Sequence, residues 1–139
     1  MNKILMIDDD LDDQYFYKDL FHQSSNELDF KCVAGFEELN EKYLLASKGD
    51  GFIPDLILLD LNLPKVSGIQ IFKKLKEHEH YNSIPVAVLT TSSSPLDMSE
   101  CRNIGVDSYF VKPIEYEDCK KLVETIYRFC FEFNGFNNL

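Results

Sequence analysis

Basic residues are scarce in this 139-residue chain: 14 Lys and Arg stand against 24 Asp and Glu, for a net charge of -10. That deficit argues against nucleic acid, whose phosphates need a basic surface, and against an anionic membrane surface. No apolar run approaches the length that a bilayer demands, and the first residues lack the pattern of a secretory signal. Neither insertion in a membrane nor export is expected. The four cysteines, Cys32, Cys101, Cys119 and Cys130, are scattered with no CxxC pair. They read as reduced, mostly buried thiols of a cytoplasmic protein. Internal repeats and linkers are also lacking, so residues 1–139 are expected to form one domain. With 45% hydrophobic residues the chain has enough apolar material for a core, and disorder is excluded.

What is present is organised around the stretch from Pro54 to Pro64. Ile57, Leu58 and Leu59 form an apolar run without helical periodicity, as in a strand buried on both faces of a parallel sheet. The run ends on Asp60. In open α/β sheets ligands bind beyond the carboxyl ends of the strands, so Asp60 stands where chemistry is expected. On this stretch alone a loop-capping role for the same carboxylate is an equal alternative.

Other apolar runs lie at Ile4-Leu5-Met6-Ile7 and at Pro85-Val86-Ala87-Val88-Leu89-Thr90. A fifth short strand is expected over Ser108–Val111, and an alternating one over Leu28–Ala34, where the apolar Val33 spoils the pattern. Between them fall helical patterns. Leu11–Ser24 carries Phe16, Tyr17, Leu20 and Phe21 on one side, and Phe36, Leu39, Tyr43 and Leu44 put an apolar stripe on a helix from about Glu37 to Ser47. A third helix has Ile69, Phe72 and Leu75 as its buried face, ending in the solvated run Glu77-His78-Glu79-His80. The next starts with Ser94 as N-cap and Pro95 at its first position, and stops at Gly105. The last runs from about Tyr116 to Phe133. Lys48-Gly49-Asp50-Gly51 reads as a turn. Strands alternating with helices define an α/β fold with a parallel sheet and right-handed crossovers.

The strand ends carry Asp8-Asp9, Asp60, Thr90 and Lys112, and a parallel sheet brings all of them to one edge. Clustered carboxylates repel unless a cation offsets them, and hard oxygen ligands suit Mg²⁺. With Lys112 as a second positive charge and Thr90 as a hydroxyl donor, this is a phosphoryl-transfer site with Asp60 as carboxylate nucleophile. Asp10, Asp12 and Asp13 read as helix-start charges rather than ligands. Ser92, Ser93 and Ser94 read as loop and cap residues.

Taken together, Ile4 to Asp9, Leu58 to Pro64 with Gly68, Leu89-Thr90 and Tyr109-Phe110-Val111-Lys112-Pro113 resemble the receiver domains of two-component response regulators. The resemblance covers essentially the whole chain, and is nearest to the small regulators that partner bacteriophytochrome kinases. It implies a flavodoxin-like three-layer fold with a five-stranded parallel sheet of order 2-1-3-4-5, an order the family itself illustrates. Asp60 would accept a phosphoryl group from a sensor histidine kinase or a histidine phosphotransfer protein. Asp9, Asp60 and the backbone carbonyl of Asn62 would ligate Mg²⁺, with Asp8 acting through water. Thr90 and Lys112 would hold the phosphoryl oxygens, and the Lys112-Pro113 bond would be cis. Thr90 and Tyr109 would form a switch, read out through the fourth helix, fifth strand and last helix by a homodimer or a downstream protein. The surplus aromatics Phe129, Phe131, Phe133 and Phe136 are expected to serve that interface in part.

Two features depart from the family pattern. Thr91 stands where a smaller Ala or Gly is usual, which is expected to restrict access to the phosphoryl group, and no output domain is expected. Two other functions use related groups. A metal-dependent phosphatase would carry a DxD pair after its first strand, and an FMN binder would place a Ser/Thr/Gly-rich loop there. The acidic triplet Asp8-Asp9-Asp10 disfavours both.

Overall fold

The computed structural model describes residues 2–45 and 52–132. Five strands, β1 (Lys3–Ile7), β2 (Asp29–Val33), β3 (Leu56–Leu59), β4 (Val86–Thr90) and β5 (Ser108–Val111), alternate with the helices. These are α1 (Leu11–Ser24), α2 (Phe36–Leu39), α3 (Gly68–Glu77), α4 (Pro95–Ile104) and α5 (Tyr116–Tyr127). The sheet is parallel throughout, in the expected order β2-β1-β3-β4-β5.

The unbroken apolar runs follow from burial on both faces. Ile4, Met6, Leu56, Leu58, Ala87 and Leu89 face one core, closed by Tyr17, Leu20 and Phe21 of α1 and Cys119, Val123 and Ile126 of α5. Leu5, Ile7, Ile57, Leu59 and Val86 face the other, closed by Leu39, Ile71, Phe72 and Leu75. A strand with helices on both sides cannot afford an alternating polar face. Val33 belongs to the second core and Phe30 to the first, which is why the β2 pattern breaks at its end.

Helix ends follow their caps. Asp10 accepts from the Asp12 and Asp13 N–H groups at the start of α1. Ser67 and Gln70 form a capping box on α3. Ser94 accepts from the Asp97 N–H, Pro95 opens α4, and Gly105 ends it at φ 92, a left-handed conformation that favours glycine.

Several expectations are corrected. The buried face of α3 is Ile71, Phe72 and Leu75; Ile69 is half-buried beside a small cluster of Leu61, Val88 and Cys101. The second helix starts at Phe36 and passes into a π-helical turn, Asn40–Leu44. The last helix likewise gives way to a π-helical turn, Arg128–Glu132, in which Phe129 and Phe131 pack against the first core. These two rings therefore extend the core rather than stand free for an interface. No peptide bond among the described residues is cis, so Lys112-Pro113 is trans, and Lys112 reaches its partners without that device. The expected end of the second helix at Ser47, the turn at 48–51, Phe133 and Phe136 lie outside the described residues.

Leu58 is 1% exposed on the middle strand of the sheet. Leu58→Ala is expected to lose about 2–5 kcal/mol of stability in a denaturant titration. A loss below about 1 kcal/mol would put that side chain outside a packed core.

Candidate functional site

Three of the polar residues at the carboxyl edge are fixed by a backbone hydrogen bond carried one residue past the end of a strand. The Asp8 N–H donates to the Val33 carbonyl (3.0 Å), that of Asp60 to Ile7 (3.0 Å), and that of Lys112 to Thr90 (2.7 Å). The ladder thus places these backbones before any side chain is considered. Asp8, Asp60 and Thr90 are buried, whereas Asp9 is exposed. Asp8, Asp9 and Asp60 each bring a carboxylate oxygen within 4.8 Å of the others, a grouping able to hold a metal ion. The expected three carboxylates are therefore together.

The loop after β3 is set by Gly68. A Cβ there would collide with the Asp60 carbonyl and with Leu61 Cα, so only glycine lets α3 start so close to the acidic strand end. Asp60 also plays the humbler role open to it. One of its oxygens accepts from the Asn62 N–H at 3.3 Å, while the other faces Lys112.

Lys112 reaches Asp8 at 2.6 Å and Asp13 at 2.7 Å, but stays 3.9 Å from Asp60. Burial pushes the Asp8 carboxyl above its usual range, against the opposing hydrogen bonds from Lys112 and the Asp10 N–H. Burial alone would lower the Lys112 ammonium, but its hydrogen bonds to Asp13 and Asp8 outweigh that and hold it high. The lysine is accordingly a permanent positive charge at the site. Asp13 is the residue that sequence reasoning missed. It was legible as a charge in the first turn of α1, but its pairing across the fold with a residue 99 positions away was not.

Thr90 and Tyr109 are joined through Ser92. The Ser92 N–H donates to Thr90 Oγ1 at 3.4 Å, and the Tyr109 hydroxyl donates to the Ser92 carbonyl at 2.8 Å. Ser92 also donates its own hydroxyl to Asp97 at 2.5 Å, in keeping with a loop role. Thr91 is exposed and stands with Asp13 and Lys112 on the wall of a cleft of about 480 Å³.

The remaining candidates have structural duties. His78 is half-buried, not solvated: its Nε2 contacts the Leu44 carbonyl at 3.0 Å and its Nδ1 accepts from the His80 N–H. All four cysteines are free thiols. Burial pushes those of Cys32 and Cys101 up to about 11 and that of Cys130 to about 12.

A doubly wound sheet with three carboxylates, a buried threonine and one lysine at its carboxyl edge is the build of a receiver in two-component signalling. Residues 4–124 match the family model of the response regulator receiver domain, and the chain belongs to that family. It is 41% identical over 93 residues to the probable methanogenesis regulatory protein FilR2 of Methanothrix harundinacea, covering 66% of this chain and 60% of that protein. The chain thus spans under two thirds of the length of that curated relative. Among solved structures, the Mn²⁺-bound form of response regulator Rcp1, a protein of Synechocystis sp., has a TM-score of 0.77 at 30% identity. That match covers 95% of this chain and 96% of the other. The phosphorylated cyanobacterial phytochrome response regulator RcpA has a TM-score of 0.81 at 28% identity, covering 92% of each chain. No helix among the described residues is long and apolar enough to cross a membrane.

Removing one of three neighbouring like charges has opposite effects with and without a cation. Asp9→Asn is expected to raise the melting temperature of the metal-free protein and to weaken Mg²⁺ binding by at least about tenfold. Calorimetric titration with Mg²⁺ checks it, and unchanged affinity would remove Asp9 from the site.

Proposed function

We propose that this chain is a phospho-accepting response regulator of a two-component phosphorelay, with Asp60 as the acceptor. The observation that carries the reading is the position of Asp60. It ends the middle strand of the sheet, grouped with Asp8 and Asp9 and facing Lys112 across 3.9 Å. A carboxylate oxygen of Asp60 attacks the phosphorus of a phosphohistidine. The new O–P bond forms as the N–P bond breaks, and the imidazole keeps the electron pair. The donor is a sensor histidine kinase or a histidine phosphotransfer protein in the cytoplasm. One phosphoryl group is taken per chain, and the reactions the protein promotes are its own phosphorylation and dephosphorylation rather than turnover of a separate substrate.

The donor set suits Mg²⁺: hard carboxylate oxygens, with the exposed Asp9 leaving a side open to the waters that this ion keeps. Asp9 and Asp60 would hold it with the Asn62 carbonyl, and Asp8 through water. When bound, the ion offsets the carboxylate repulsion and the charge of the transferred group. Lys112 adds a second positive charge, and the Thr90 hydroxyl is available to a phosphoryl oxygen.

Incubation with acetyl phosphate or phosphoramidate and Mg²⁺ is expected to attach one phosphate to the wild type and none to Asp60→Asn. Undiminished labelling of the variant would end the assignment.

The signal leaves through α4, β5 and α5. A Thr90 hydroxyl drawn towards a phosphoryl oxygen pulls on Ser92, which carries both the Thr90 and the Tyr109 contacts. Tyr109 is half-buried beside Val88 and Cys101, so a change at Ser92 is felt on the outer face of β5. Leu96 of α4 is 81% exposed on the neighbouring helix and supplies apolar contact area. Phosphorylation is expected to strengthen self-association or the binding of a downstream protein. Sedimentation with and without beryllofluoride should show heavier species for the wild type but not for Tyr109→Ala. Identical masses throughout, with a partner indifferent to both changes, would refute it.

A further inference from the structure

Lys112 has three N–H donors, and two are engaged by Asp8 and Asp13. The third carboxylate within reach, that of Asp60, lies at 3.9 Å, beyond hydrogen-bond distance. The ammonium is therefore shared between a member of the carboxylate group and a residue outside it. We infer that Asp13 is a positioning residue that holds Lys112 short of Asp60 and so limits how readily a phosphoryl group is captured there. This inference rests on the phospho-acceptor reading of Asp60.

The asymmetry of burial says which bond Lys112 gives up. The Asp8 side chain is 1% exposed, and losing its cation would leave a buried charge unpaired, a heavily penalised state. Asp13 is 32% exposed and faces the cleft lined by Thr91 and Lys112, so water replaces the ammonium there at small cost. The Asp13 backbone is anchored in the first turn of α1, where its N–H donates to the Asp10 side chain at 3.2 Å. A phosphoryl group on Asp60 brings oxygens that compete for the same ammonium. Its capture therefore means trading the Asp13 contact for a new one, and only the phosphorylated form bears that trade. A second effect has the same sign: Asp13 adds a negative charge beside an anionic ligand.

The test is a ¹⁹F NMR titration of the intact chain with beryllofluoride at saturating Mg²⁺, on wild type, Asp13→Asn and Asp13→Glu. Asp13→Asn keeps the shape and removes the charge. It should bind beryllofluoride about two- to fivefold more tightly, the upper part of the span expected for one partly exposed ion pair. Asp13→Glu, which restores the charge, should return to wild-type affinity, whereas a purely structural role would leave Asn no tighter than the wild type. Thermal melts confirm that each variant is folded. Asn binding equally or more weakly overturns the inference while leaving Asp60 as acceptor, and so does equal tightening by Asn and Glu. A wild type that binds no beryllofluoride overturns both the inference and the acceptor reading.

Discussion

Three backbone hydrogen bonds, each one residue beyond a strand, are what the site depends on. They tie Asp8 to β2, Asp60 to β1 and Lys112 to β4, so the charged edge is an extension of the sheet. The consequence is rigidity where the side chains are least comfortable. Carboxylates forced together would spread apart on mobile loops, whereas here the ladder and the close approach of Gly68 to the Asp60 and Leu61 backbone hold the strand end in place. Like-charge repulsion is retained instead of relaxed, and a bound cation then has something to relieve.

Burial sorts the charges at that edge into different jobs. Asp8 and Lys112 are both almost sealed from water and are short partners, so separating them is expensive. Asp9 is open to solvent, and Asp13 sits between these extremes. A gradient from closed to open thus runs across a few ångströms, and it decides which contacts are permanent and which are exchangeable. The hydroxyl side is built differently. Thr90, Ser92, Asp97 and Tyr109 are joined by hydrogen bonds without an ion pair, so they can rearrange without stranding a buried charge.

Most of the architecture was legible because its causes are local. The runs at Ile4–Ile7 and Ile57–Leu59 admit only two-sided burial, and Ser94, Pro95 and Gly105 mark the bounds of α4 by their own stereochemistry. The strand-end residues of the site were legible for the same reason, since topology alone sends them to one edge. What escaped depends on neighbours far along the chain. Val33 looks like an error in alternation until α2 and α3 supply the second core. Ile71 displaces Ile69 from the buried face because of how α3 sits on the sheet, which spacing along one helix leaves open. His78 looks solvated until the Leu44 carbonyl arrives opposite it. Asp13 is the clearest case, a capping-turn charge in sequence and a lysine partner in space.

The cysteines have a practical meaning. A thiol held near 11 is ionised in only about one molecule in ten thousand at neutral pH, and the thiolate is the reactive form. Cys32, Cys101 and Cys130 are thus poor targets for maleimides and for mild oxidants, while Cys119 is sealed in the first core. The fold supplies its own quiet background: a single cysteine placed on an exposed turn of α4 becomes the chain's fast-reacting thiol. A spectroscopic label can then report on the outer helices without any native sulfur being removed.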